Sequence, residues 1–441
     1  MSVSLPATQR RRNPLPEGTI TVGVGLFISG LAQYGFLAIS AHALPPERYA
    51  PLATFWALLF VAGPGFFLPL EQETARAIAA RRVRHLGGRP VVSRAAFAGI
   101  SLAACLVIAV GLAASPVDQR IFNSDSALLA ALVVGLVMFP LQYLARGTLA
   151  GNGRFAPYGL LLAGEGILRM LFAAVLFVAG LVVAGPFGVA MVIASLVAIV
   201  IAVAGRRGLL QPGPKATWEE VSNALGFLLI ASVSTQFLLS IGPVAVQLLA
   251  TSSQKAAPGQ FLDSRIVAFA PIFLFQALQA ALLPKLSALA AAGRLPEFRK
   301  LLAQLLVLVA VVAVIAVAGF ATLGRPVTQR LFGNAYALGS LDFALLSASC
   351  GGFMVAQVLS QALIARSAYR RVAAGWLSGA AAFVAVTAVG TQLFLRVELG
   401  LIAGAIASVA LMGALLVPLL RSRTTPETEP RTASRPALPE T

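Results

Sequence analysis

The sequence predicts an all-α polytopic membrane protein with about twelve transmembrane helices in two parallel six-helix halves. Three observations predict it. The 441-residue chain is 58% hydrophobic and only 11% charged, whereas a soluble domain carries about 25% charged residues. It cannot cover a globular surface with charge, so lipid is its solvent. Apolar runs of about 20 residues recur along the whole length, each long enough to span a ~30 Å hydrocarbon core. The second half of the chain also echoes the first. Backbone groups in lipid must be paired within their own segment, which makes these runs helices. Their length does not suit the ~10-residue alternating strands of a β-barrel.

Residues 1–17 are polar, include Arg10, Arg11 and Arg12, and read as a disordered cytoplasmic lead. The first run, 19–42, ends in Ala41-His42-Ala43, which imitates a signal-peptidase site. It is longer than a 7–15-residue signal core, so it is expected to stay as an anchor helix. The further spans are 50–70, 95–115, 126–146, 158–181, 186–205, 221–249, 262–283, 301–323, 338–364, 372–394 and 399–420. Asp125-Ser126 is placed to cap the fourth, and Pro157 suits the first turn of the fifth. Thr217-Trp218-Glu219-Glu220 reads as a capping box before the seventh, and Pro296-Glu297 does similar work before the ninth. The organisation is then a six-helix bundle over 18–205, a cytoplasmic linker at 206–220 and a second bundle over 221–421. A Pro/Thr/Glu tail at 422–441 has nothing to bury and reads as disordered.

Net charge is +17. In a soluble protein this would point to nucleic acid; here the positive charge concentrates in alternate connections between spans and reads as a cytoplasmic surface. The segment Arg81, Arg82, Arg84, Arg89, Arg94 is the densest of these. The rule that basic connections stay inside gives a cytoplasmic-membrane protein with both termini cytoplasmic. The same basic segment can attract anionic lipid headgroups at about 1 kcal/mol per charge. Cys105 and Cys350 lie in different spans without metal-ligand spacing and read as small packing residues.

A shift of about 213 residues lays LEQETARAIAAR (70–81) on LPKLSALAAAGR (283–294). Both follow a proline-containing span and lead into a basic connection. At nearly the same shift Leu149 meets Leu363 and Phe155 meets Tyr369. Six spans is an even number, so the halves are parallel, an architecture expected to work by rocking around a midplane cavity.

On these residues the chain resembles the multidrug/oligosaccharidyl-lipid/polysaccharide (MOP) exporter superfamily, and within it the Wzx-like polysaccharide flippases of actinobacteria. The resembling stretches are PLEQETARAIAARR (69–82), YLARGTLAGNGRFAPYG (143–159) and GEGILRMLF (164–172). The resemblance implies a MATE-like fold in which the first and seventh helices bend and line a central cavity, and the second and eighth flank a lateral opening. It also implies the substrate, an undecaprenyl-pyrophosphate-linked oligosaccharide moved for cell-surface polysaccharide synthesis. The implied partners are membrane lipids and the polymerase or glycosyltransferases of the same pathway, with no nucleic acid.

Candidate transport residues follow from charge at depth. Glu165 and Arg169 are four apart and share a helix face; a charge there costs about 2.5–3.5 kcal/mol on insertion scales and should face the bundle interior or a wet cavity. Arg169 could attract a pyrophosphate while Glu165 holds it or takes a coupling proton. The alternative is a structural ion pair. Glu71, Glu73 and Arg76 sit at a span end, where Glu73 and Arg76 can pair and long side chains snorkel to the headgroups. Asp263 and Arg265 open the eighth span; Arg265 either sits at the headgroups or projects into the cavity. Arg146 ends the fourth span and is expected to snorkel to the inner interface. Gln33, Tyr34, His42, Gln236 and Gln247 are uncharged cavity candidates that equally suit interhelical hydrogen bonds, and Gly23-x-Gly25 suits helix packing.

No GxxxxGK[ST] occurs, and no His/Cys/Asp cluster has metal spacing. No cofactor is expected; a proton or sodium gradient or the membrane potential is the expected drive. A drug/cation antiporter of MATE type and a lipid II flippase are the nearest alternatives. A major facilitator carrier should read close to GxxxDRxGRR after its second span, where this chain has LGGRP. A membrane glycosyltransferase or polymerase needs a long outer loop with paired acids, which the sequence lacks, so no enzyme activity is expected.

Overall fold

The computed structural model describes residues 19–222, 225–272, 275 and 285–421. Every regular element among them is helical, with no strand. The first half comprises α1 (Thr19–Ala43), α2 (Pro46–Ala62), α3 (Leu68–Val83), α4 (Arg89–Leu112), α5 (Ser126–Gly151), α6 (Phe155–Val178) and α7 (Ala184–Val203). The second comprises α8 (Leu225–Ser240), α9 (Gly242–Leu249), α10 (Ala257–Ala268), α11 (Leu295–Phe332), α12 (Ser340–Ala365), α13 (Tyr369–Val389) and α14 (Leu393–Arg421). Among the described residues ten helical stretches are long and apolar enough to cross a membrane, and the bent pair α8–α9 makes an eleventh if it counts as one span. The expected eighth span, 262–283, lies partly outside the described residues, as does the first member of the repeat's second copy, 283–294.

Helix ends depart from the apolar runs where polar residues carry a helix past the hydrocarbon. The second span runs as one 38-residue unit, Pro46–Val83. Pro64 and Pro69 cannot donate backbone hydrogen bonds, and the chain absorbs them in a π-helical turn, Gly63–Phe67, between α2 and α3. Single π-helical turns of this kind occur inside α-helices, frequently at functional sites. The ninth span, α11, also has 38 residues rather than the expected 301–323. α1 runs unbroken, whereas α8 and α9 meet at 60°. The cause of that bend is Pro243, whose ring and missing N–H interrupt the ladder at Leu239.

Helices meet closely where glycine removes the side chain. A Cβ on Gly25 of α1 would lie 2.5 Å from the Gly159 carbonyl oxygen of α6, whereas one on Gly23 would meet nothing within 4 Å. A Cβ on Gly147 would lie 2.7 Å from the Glu71 carbonyl oxygen, and one on Gly151 2.8 Å from that of Ala75. The Gly147-x-x-x-Gly151 spacing puts both on one face of α5, which lets α3 approach at backbone distance. The carboxylate of Asp125 does not bond its own helix; it accepts the Gly185 N–H at 2.9 Å and ties the start of α7 to that of α5. Cys350 is buried, but Cys105 is exposed on α4 and so is not a packing residue.

Candidate functional site

Two polar constellations among the described residues gather most of the charged candidates. The first belongs wholly to the first half. Glu165, 4% exposed on α6, is the centre of it. One carboxylate oxygen, Oε2, accepts from Arg146 Nη2 at 2.6 Å and from Gln142 Nε2 at 2.8 Å, both on α5. The other, Oε1, accepts from Ser195 Oγ on α7 at 2.8 Å and from Arg169, one turn along α6. Arg169 also donates to Ser195 Oγ at 3.0 Å. Arg146 stacks over Tyr143, 5.2 Å from its ring centre. Nearby on α3, Glu71 accepts from the Tyr158 hydroxyl at 2.7 Å. The network brings two carboxylates and two guanidinium groups together in balance, which offsets the cost of holding each charge out of water. Arg146 therefore turns into the half, toward Glu165, instead of snorkelling.

Two residues further along α3, Glu73 pairs with Arg76 at 2.6 Å. Arg76 also donates to the Glu220 carbonyl at 2.7 Å. The buried Arg81 reaches the same residue, with Nε 2.8 Å from Glu220 Oε2, and donates to the Pro214 carbonyl at 2.9 Å. The backbone of Arg89 donates to Gln211 at 3.0 Å. The linker is thus strapped across the basic end of the first half. The Glu220 carboxylate is held below its ordinary range, chiefly by the Arg81 hydrogen bond. It also accepts the Thr217 N–H at 3.2 Å, as the capping-box spacing predicts.

The second constellation lies on the seam between halves, toward the end opposite the basic connections. Asp263 of α10 is fully buried and accepts from the Tyr49 hydroxyl of α2 at 2.7 Å, while its Oδ2 has no partner among the described residues. Tyr49 packs edge-on against Tyr336, 5.2 Å between ring centres. The Tyr336 hydroxyl lies 3.2 and 3.1 Å from the carbonyls of Ala41 and Leu44 in the first half. Tyr34 of α1 donates to the Ile266 carbonyl of α10 at 3.1 Å.

Arg265 sits within this seam, 3% exposed. Its guanidinium donates to the Leu239 carbonyl and lies over Phe269, 4.0 Å from the ring centre. No carboxylate pairs with it among the described residues. It is a buried cation held by a carbonyl and an aromatic face, not a headgroup anchor.

The remaining candidates are more peripheral. Gln236 is half-buried on α8, its side chain packed opposite Gly65 at the π-helical turn. Gln33 is half-buried on α1. Gln247 donates to the Arg120 carbonyl and to Asn123, each at 3.0 Å, in an exposed contact. His42, a cavity candidate by sequence, is exposed, with Nδ1 2.8 Å from the Ala38 carbonyl, because it falls in the last turn of α1. Tyr49, Gln142, Tyr158 and Ser195 were not anticipated. Their only sequence signal is a polar group inside an apolar run.

This arrangement of helices is found in solved transporters. The inward-facing conformation of a multidrug resistance MATE transporter of the MOP superfamily superposes with a TM-score of 0.70, covering 92% of this chain and 99% of that one at 13% identity. The fold is MATE-like. The outward-facing conformation of such a transporter gives 0.62 at 14% identity, over 92% and 95% of the two chains. A MOP superfamily transporter from Pyrococcus furiosus, described as having a binding pocket of reversed polarity that suggests a different function, gives 0.61 at 15%, over 92% and 96%. In sequence, the uncharacterized protein Rv1510 of Mycobacterium tuberculosis is 27% identical over 426 residues, 93% of this chain and 94% of that protein. Its uncharacterized protein Rv3630 is 26% identical over 416 residues, 91% of each. No protein-family model matches the chain.

Proposed function

We propose that the protein is an exporter of the cytoplasmic membrane that carries a lipid-linked oligosaccharide, anchored through a pyrophosphate, from the inner to the outer leaflet. The observation that carries this reading is Arg265, a buried guanidinium on the seam between the two halves that no carboxylate neutralises among the described residues. A rocking transporter must open that seam to release cargo outward, and opening it uncovers a positive charge. Guanidinium groups match phosphate oxygens through paired, charge-assisted hydrogen bonds. The basic end, with Arg82, Arg84, Arg89 and Arg94, faces the cytoplasm and collects the anionic headgroup before entry.

The hydrogen bonds of Tyr34, Tyr49 and Tyr336 hold the halves together near the outer end, so this conformation corresponds to cargo entry from inside. The neutral Glu165 network keeps the first half rigid while it moves. The cargo's pyrophosphate partners with Arg265 once those contacts part. Membrane lipids and the enzymes that build and polymerise the saccharide are the expected neighbours in the pathway.

A MATE-type cation exporter is the second reading. It is favoured by Asp263, which offers a buried carboxylate oxygen without a partner on the same seam. Proteoliposomes that separate the two cargo classes test the choice. The proposal expects leaflet exchange of a pyrophosphate-linked polyprenyl saccharide. Transport of cationic drugs alone would overturn it.

A further inference from the structure

Each buried acid described above has a donor: Glu165 has four, Glu71 has Tyr158, Glu73 has Arg76 and Asp263 has Tyr49. Glu398 has none. It lies near the start of α14, is 0% exposed, and both its carboxylate oxygens lack a partner among the described residues. Asp342 of α12, half-buried beside the start of α14, faces it, with its Oδ2 engaged by the Gly339 N–H at 2.8 Å.

Among the described residues no cation offsets the pair. Arg396, on the same helix, points away and donates to the carbonyls of Leu249 at 3.0 Å and Gly390 at 3.4 Å. Arg325 and Lys255, at the same end of the bundle, are exposed. Neither α9 nor the adjoining end of α13 carries a titratable side chain. Asp342 also lines a surface cleft of about 220 Å³, together with Gln254, Leu341 and Gln392.

Glu398 is out of water and faces a second, half-buried carboxylate with no cation between them among the described residues, so the two cannot both stay ionised without a large cost. One proton resolves both defects, because a protonated carboxyl donates to its neighbour while the other remains an acceptor. A buried, unpaired acid within a membrane helix is a functional residue by default, and Asp342, which lines the cleft, links it to water.

We propose that Glu398 and Asp342 form a proton-binding site of the second half, reached through the cleft from the end opposite the basic connections. The proton is taken from water onto Glu398 and shared with Asp342. Its release leaves two facing negative charges that drive α12 and α14 apart, which couples proton occupancy to the packing of the half. The site does not depend on which cargo the protein carries.

Infrared difference titration of the full chain in lipid nanodiscs tests this without any cargo. The wild type should show the carbonyl band of a protonated carboxyl that bleaches as pH rises, and Glu398→Gln should lose it. In Asp342→Asn the bleaching should move to lower pH, because Glu398 no longer faces a like charge. Exchange of potassium for sodium should leave the band in place. Superimposable spectra of wild type and Glu398→Gln would overturn the proposal. A band displaced by sodium would do so too, since a metal cation would then be the occupant. If Glu398→Gln does not insert, the Asp342→Asn titration decides alone, and an unmoved transition would overturn it.

Discussion

Arg265 donates to the carbonyl of Leu239, the acceptor that Pro243 leaves without an amide proton. A proline in a helix orphans the carbonyl four residues before it, and here a side chain from the neighbouring span fills the gap. One residue thus holds the bend between α8 and α9 and places a positive charge on the seam. Arg265→Ala removes both, and the bare carbonyl should cost about 1–3 kcal/mol. Arg265→Gln keeps a donor and should restore most of that stability. Unfolding midpoints in detergent distinguish the two; equal losses would show that the hydrogen bond does not hold the bend.

Glu165 gathers four donors from three helices. Glu165→Gln leaves Arg146 and Arg169 as buried, unpaired cations and should destabilise the protein by about 3–5 kcal/mol. Glu165→Leu combined with Arg169→Leu removes one charge of each sign and should recover part of the loss. Arg169→Ala should reduce the folded yield more than the transport rate per folded molecule. Normal yield with abolished transport would instead make Arg169 a cargo residue.

The linker strap supplies a pH dependence outside the membrane. Glu220 titrates below its ordinary value in the folded protein because Arg81 bonds its charged form. A carboxylate lowered in this way stabilises the fold above its unfolded value, and that contribution fades as pH falls through the folded one. Hydrogen exchange across 206–220, corrected for intrinsic rates, should be steady near neutral pH and rise below about pH 4. Glu220→Gln should exchange fast throughout. A strap equally protected in both proteins would show that the Arg81 contact is dispensable.

Much of this could be read in one dimension. Span number, the parallel halves and the basic end follow from composition and periodicity, and Glu165–Arg169 and Glu73–Arg76 follow from helical spacing. What stayed hidden joins distant residues. Arg146 meets Glu165 across two helices, and Tyr49 meets Asp263 from the other half. Nothing in local spacing encodes such contacts. Glu398 and Asp263 were obscured for another reason: an acid near a span end looks like a solvated cap until the fold buries it. The helix ends moved outward because the apolar run marks the hydrocarbon, while the hydrogen-bond ladder continues beyond it.

Orientation has its own check. Leu86 lies at the basic end and is 37% exposed, whereas its neighbour Gly87 packs against the Pro212 carbonyl and cannot be replaced. With Cys105 changed to serine, Leu86→Cys should react with an impermeant maleimide only from the cytoplasmic side. Labelling of intact cells would invert the topology.

Arg265 is the proposed handle for an anionic headgroup. The most direct measurement is the initial rate at which reconstituted protein moves a pyrophosphate-linked polyprenyl saccharide between leaflets, compared for wild type, Arg265→Lys and Arg265→Gln at matched folded fractions. Lysine keeps the charge but loses the paired geometry, so an intermediate rate is expected, with glutamine lower by about a hundredfold, in line with one lost charge-assisted contact of about 3 kcal/mol. Glutamine at the wild-type rate would contradict the account.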